Sequence, residues 1–147
     1  MTSTPRTPET PMLAFENVRH PTVLIVEDEA TQRIVLERVI HELDRESEIL
    51  GVRTGEIALK ILENNPVDLV ISDLFLDGRL TGLNVWNYCK LKYPKVPMFM
   101  TSSLPVPAFL QLTRDVAEQP PYLPKPFTID DCRRFVAAYL MGDLCLH

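Results

Sequence analysis

Nothing in this 147-residue chain approaches the roughly 20 consecutive apolar residues that a membrane span needs. The opening Met1-Thr2-Ser3-Thr4-Pro5-Arg6 also lacks the apolar core of a secretory signal. Cysteine is scarce. Cys89, Cys132 and Cys145 are odd in number and have no metal-type spacing, which points to reduced thiols in a cytoplasmic protein. A surplus of basic residues is missing too. Fifteen Lys and Arg stand against 20 Asp and Glu, a net charge of −5, whereas a nucleic-acid surface needs clustered cations. The mild acidity fits simple solubility. No internal repeat or low-complexity block is visible, and 46% hydrophobic with 24% charged residues is ordinary for one globular domain with a sizeable core.

What is present is an alternation of short apolar runs and helix-like segments. Residues 1–20 carry Pro5, Pro8, Pro11 and five Thr or Ser residues, so they read as a flexible tail ahead of a domain at 21–147. Strands are expected at 22–26, 47–53, 67–72, 96–101 and 121–124. Helices are expected at 30–43, with Ile34, Leu36, Val39, Ile40 and Leu43 at helical spacing, and at 55–64, with Ile57, Ala58, Ile61 and Leu62 inward. Others are expected at 83–92, stopping before Pro94, and at 108–118. In a last helix Thr128 and Asp131 form the N-terminal cap, and Cys132, Phe135, Val136, Tyr139 and Leu140 form the buried stripe. Five β-α units give an α/β fold, a doubly wound five-stranded parallel sheet with helices on both faces. Right-handed crossovers favour the flavodoxin-like strand order 2-1-3-4-5.

Polar residues stand at the carboxyl ends of these runs. Glu27 and Asp28 follow Val23-Leu24-Ile25-Val26, and Asp73 follows Val67-Asp68-Leu69-Val70-Ile71-Ser72. Ser102 closes Val96-Pro97-Met98-Phe99-Met100-Thr101, and Lys125 follows Tyr122-Leu123-Pro124. Ligands in open α/β sheets bind at this edge. Three carboxylates, a hydroxyl and an ammonium would therefore converge on one pocket. Two like charges about 4 Å apart repel by about 4 kcal/mol at an effective dielectric near 20, so such a cluster calls for a cation. All-oxygen ligation suits Mg²⁺, which takes one or two carboxylates together with phosphate oxygens. The metal would shield attack by Asp73 on a phosphoryl group, and Lys125 and Ser102 could bind the phosphoryl oxygens. Taken singly, each residue has a plainer reading. Asp73 could cap a turn, Lys125 could be solvated, Ser102 could be a hydrogen-bonded turn residue, and Tyr122 could be rim packing.

The segments Val23-Leu24-Ile25-Val26-Glu27-Asp28-Glu29, Asp68-Leu69-Val70-Ile71-Ser72-Asp73 and Lys125-Pro126-Phe127 resemble the receiver domain of two-component response regulators, over about 22–141. The resemblance implies a switch phosphorylated on Asp73 with Mg²⁺. Asp28, Asp73 and the main-chain carbonyl of Phe75 would hold the metal directly, and Glu27 would act largely through water. Lys125 would bind the phosphoryl oxygen, Ser102 would be the switch hydroxyl, and Tyr122 the aromatic that rotates with it. The resemblance further implies that phosphoryl groups come from a sensor histidine kinase or a histidine phosphotransfer protein. His20, His41 and His147 are scattered, which argues against a phospho-accepting histidine in this chain. The protein would be no enzyme beyond catalysing its own phosphotransfer and dephosphorylation. It would act as a single-domain regulator, signalling to a downstream effector protein, with no nucleic acid or membrane as partner.

Several positions depart from that family's pattern. Glu27 stands where Asp is commoner. The loop Leu76-Asp77-Gly78-Arg79-Leu80-Thr81-Gly82 is one residue longer than the usual one. Strand four offers Thr101, Ser102 and Ser103; counting from Pro97 favours Ser102, and a one-residue slip would promote Thr101. Two other classes of function stay open at this level. One is a Mg²⁺-dependent phosphohydrolase with an aspartyl nucleophile, although Phe75 stands where such enzymes carry a second Asp. The other is a docking module that keeps the acids and no longer switches.

Overall fold

The computed structural model describes residues 20–140; the tail expected before residue 20 and the chain after residue 140 lie outside the described residues. Five strands form one parallel sheet: β1 (Thr22–Val26), β2 (Glu48–Val52), β3 (Leu69–Asp73), β4 (Met98–Ser102) and β5 (Tyr122–Pro124). Their order is β2-β1-β3-β4-β5, as the crossover rule predicts. Five helices connect and follow them: α1 (Ala30–Leu43), α2 (Gly55–Asn64), α3 (Gly82–Lys92), α4 (Val106–Leu112) and α5 (Ile129–Leu140).

Every residue of β1, β3 and β4 is buried, as expected of central parallel strands covered on both faces. Their side chains alternate between two cores. Leu24, Val26, Val70, Met98 and Met100 pack with Leu62 of α2, Trp86 of α3 and Phe109 of α4. Val23, Ile25, Leu69, Ile71 and Phe99 pack with Leu36, Val39 and Ile40 of α1 and with Cys132 and Val136 of α5.

Local chemistry starts the helices. Thr54 Oγ1 accepts the Ile57 N–H at 3.1 Å and opens α2. Thr81 and Asn84 form a reciprocal capping box at α3. Thr128 Oγ1 accepts the Asp131 N–H at 3.0 Å at the start of α5. Glu29 occupies the N-cap position of α1, with no side-chain cap bond.

Three packing details differ from the periodicity reading. Ile34 is 56% exposed, because it lies two residues from Leu36 and so on the opposite side of the helix. Ile57 is 45% exposed beside the buried Ala58. Helix α4 stops at Leu112 rather than 118. Its end is taken over by a side chain: Gln119 Nε2 donates to the Thr113 carbonyl at 2.8 Å, and Gln119 Oε1 lies 2.7 Å from Thr113 Oγ1. The same carbonyl also accepts the Val116 N–H at 3.0 Å, so the chain leaves α4 in a tight three-residue turn that Gln119 pins.

Candidate functional site

The carboxyl edge of the sheet brings the expected residues together. Glu27 lies one residue beyond β1, and its N–H donates to the Val52 carbonyl at 2.9 Å, so the sheet itself positions it. Asp73 and Ser102 are the last residues of β3 and β4. Lys125 follows β5, and its N–H donates to the Ser102 carbonyl at 2.8 Å. The Lys125-Pro126 peptide is cis.

At the centre is a triangle of charge. Lys125 Nζ donates to Glu27 Oε1 at 2.9 Å and to Asp73 Oδ2 at 3.3 Å. Glu27 is only 1% exposed. Its second oxygen accepts the Glu29 N–H at 3.2 Å, while Asp73 Oδ1 faces the Phe75 N–H at 3.4 Å. Asp28 completes the cluster: one carboxylate oxygen from each of Glu27, Asp28 and Asp73 lies within 4.8 Å of the others. Such an all-carboxylate set could hold a hard divalent cation. Both Glu27 oxygens are engaged within the protein, one by Lys125 and one by the Glu29 N–H.

Burial controls the electrostatics. Desolvation pushes the Glu27 and Asp73 carboxyls above their ordinary values, against the opposing pull of Lys125. Burial alone would lower the Lys125 ammonium, but the Glu27 hydrogen bond and the Asp73 charge more than offset it, so its net shift is upward.

Ser102 and Tyr122 meet each other. The Tyr122 hydroxyl lies 2.5 Å from Ser102 Oγ, and its ring stacks on Phe109. Thr101 is buried directly beside Asp73 in the β3–β4 register. Phe75 follows the acid with its side chain 53% exposed. Asp77 turns away from the acidic cluster and pairs with Arg53 at 3.1 Å.

Two features escaped the sequence reading. One is Phe109, which sits 13 positions from Tyr122 on another element and carries no motif. The other is Glu56, whose Oε2 accepts the Arg79 N–H at 2.9 Å and holds the long loop after Asp73. A first-turn acid like Glu56 ordinarily signals only the helix dipole.

An acidic cluster and a lysine at the carboxyl edge of a 2-1-3-4-5 sheet define a class, the flavodoxin-like α/β domains with a charged site at their strand ends, and comparison with known proteins narrows it. Residues 23–137 match the response regulator receiver domain, and the chain belongs to that family, whose members serve two-component signalling. It is 31% identical over 123 residues to the response regulator protein FleR of Pseudomonas aeruginosa, covering 83% of this chain and 25% of that protein. It is 33% identical over 81 residues to a putative NtrX-like response regulator of Rickettsia bellii, covering 54% of this chain and 16% of that one. The chain thus spans a quarter or less of the length of these curated relatives. Among solved structures, the receiver domain of a putative LuxO repressor protein from Vibrio parahaemolyticus superposes with a TM-score of 0.69 at 26% identity, over 84% of this chain and 92% of that one. The chemotaxis response regulator CheY4 of Vibrio cholerae shares the fold, with a TM-score of 0.70 at 22% identity, over 83% of this chain and all of that one. No described helix is long and apolar enough to cross a membrane.

Proposed function

We propose that this receiver domain, taken as 21–147, is a switch phosphorylated on Asp73. The observation that carries the reading is the Lys125 ammonium bridging two buried carboxylates beside a third. A site built only for stability would rarely bury two acids on one lysine, because desolvating like charges costs more than a single cation returns. A site that receives an anionic phosphoryl group needs this lysine and a second cation.

Asp28, Asp73 and the Phe75 carbonyl would hold Mg²⁺, with Glu27 acting through water. The ion supplies positive charge that shields the acid from the incoming phosphoryl oxygens. Lys125 favours the ionised form of Asp73 against the effect of burial, and Asp73 offers a carboxylate oxygen to phosphorus. That bond forms as the bond from phosphorus to a histidine nitrogen of the donor breaks, and the nitrogen keeps the electron pair. Lys125 exchanges part of its contact with Asp73 for a phosphoryl oxygen, and Ser102 turns its hydroxyl toward another. The donor is a sensor histidine kinase or histidine phosphotransfer protein, and the output is binding of an effector protein. The protein is a cytoplasmic switch rather than a turnover enzyme, and neither nucleic acid nor membrane is its partner.

Acetyl phosphate or beryllofluoride with Mg²⁺ tests the assignment. A Mg²⁺-dependent adduct should form, and Asp73→Asn should abolish it. An undiminished adduct in that variant would remove the assignment. Calorimetry of Mg²⁺ binding should show Asp28→Ala weakening affinity more than Glu27→Gln; the reverse ranking would mean that Glu27 is a direct ligand.

A further inference from the structure

The loop from Asp73 to Gly82 is held at two levels. Its base belongs to the sheet: the Leu74 N–H donates to the Thr101 carbonyl at 2.9 Å, and the Gly82 N–H closes back on the Leu74 carbonyl at 2.8 Å. Its crown belongs to the start of α2. Asp77 forms a parallel bridge with Thr54 and an ion pair with Arg53 at 3.1 Å. Glu56 Oε2 accepts the Arg79 N–H at 2.9 Å. Phe75, whose carbonyl is the expected main-chain metal ligand, lies between Leu74 at the base and Asp77 at the crown.

Of the crown contacts, the one from Glu56 is the strongest. The Arg53–Asp77 pair is exposed on both sides, and pairs of that kind contribute little. The Glu56 carboxylate instead meets a backbone N–H in a charge-assisted hydrogen bond. That N–H holds its carboxyl below the ordinary value. Among the described residues, Glu56 Oε1 is buried without a hydrogen-bond partner, and a Cβ on Gly78 would stand 2.8 Å from it. A Cβ on Gly55 would come equally close, 2.8 Å, to the Leu80 Cβ. The loop and the helix start thus fit together where neither glycine has a side chain. A buried oxygen without a donor costs stability, so the bond made by the other oxygen is what keeps Glu56 turned inward. An acid serving only the helix dipole would need no such fit.

We infer that Glu56 is a positioning residue for the metal site: by tethering Arg79 it fixes the loop that carries the Phe75 carbonyl, and so sets Mg²⁺ affinity from a helix that contributes no ligand. This rests on the reading of Asp28, Asp73 and the Phe75 carbonyl as the ligands. What Glu56 supplies is reach, an oxygen at one place, rather than negative charge near a cation. Substitution separates the two. Glu56→Gln keeps the reach and removes the charge, whereas Glu56→Asp keeps the charge and withdraws the oxygen by one methylene.

Calorimetry of Mg²⁺ binding and amide hydrogen exchange on the full chain test this. Glu56→Asp should weaken Mg²⁺ binding about tenfold, the usual effect of losing a group that orients a metal ligand. Glu56→Gln should stay within about twofold of wild type, because its amide oxygen still accepts the Arg79 N–H. The Arg79 amide should exchange slowly in wild type and in Glu56→Gln, and fast in Glu56→Asp. Any ranking in which Gln binds Mg²⁺ no better than Asp would mean that Glu56 acts as charge and would overturn the inference. So would a Glu56→Asp variant whose Arg79 amide exchanges fast while its Mg²⁺ affinity matches wild type. Wild type that binds no Mg²⁺ would remove the ligand assignment and the inference with it, so the wild-type titration tells the two failures apart.

Discussion

Lys125 sets the charge balance at the sheet edge, and its removal should be felt throughout the molecule. Lys125→Ala leaves the Glu27 and Asp73 carboxylates facing each other without a cation. Breaking a buried pair of this kind should cost about 3 kcal/mol in urea unfolding without Mg²⁺. Adding Asp73→Asn should recover part of the loss, because one of the two like charges is then gone. A pH dependence follows from the same residues. Both carboxyls are raised above their ordinary 4.5 and 3.8, so the folded chain binds these protons more tightly than the unfolded chain does. Their contribution to stability is greatest at low pH and falls as pH rises through the window from the ordinary to the raised folded value. Without Mg²⁺, wild type should therefore gain stability relative to Glu27→Gln/Asp73→Asn as the buffer is taken from pH 7 down to about pH 4, where the ordinary carboxyl values lie. A flat difference, or one of opposite sign, would contradict the burial argument. The raised Lys125 value acts only at alkaline pH and leaves this window untouched.

At the level of elements, the loop after Asp73 is where local geometry meets the site. A Cβ on Gly82 would overlap the Asp73 carbonyl oxygen and the Met100 methyl, and the Gly82 N–H donates to the Leu74 carbonyl at 2.8 Å. Gly82→Ala should destabilise the fold and also weaken the beryllofluoride adduct, because the displaced backbone is that of Asp73 itself. Thr81→Ala, by contrast, removes the capping box of α3 and should cost about 1 kcal/mol with little change in the adduct. Gly78 holds φ +89 against Glu56, so its backbone is one that glycine adopts freely and other residues rarely do. The elements were largely legible beforehand because strands and helices announce themselves within a few residues. Thr54, Thr81 and Thr128 are local caps, and Pro94 is a local stop. The end of α4 was not legible, since it depends on Gln119 reaching back six residues to Thr113. The exposure of Ile34 was legible in principle from its two-residue offset to Leu36, but an apolar count along the helix hid it.

For the whole molecule, two cores on either side of one sheet should unfold as a single cooperative unit. Trp86, the single tryptophan, is 1% exposed, so its emission should be blue-shifted and its urea transition should coincide with that of far-UV ellipticity. Cys89 and Cys132 are buried thiols, each pushed up to about 11 by desolvation. Both should react with a thiol reagent far more slowly in the native protein than in urea; rapid native labelling would mean that one core opens locally. By itself the sequence determined the sheet order and the edge at which Glu27, Asp28, Asp73, Ser102 and Lys125 gather, because strand polarity and right-handed crossover follow from patterns within each segment. Only the tertiary structure decided that Lys125 bridges Glu27 and Asp73, that Glu56 pins the loop, and that Phe109 stacks on Tyr122. Those contacts join side chains that share no periodicity, and distance in space, not spacing along the chain, selects them.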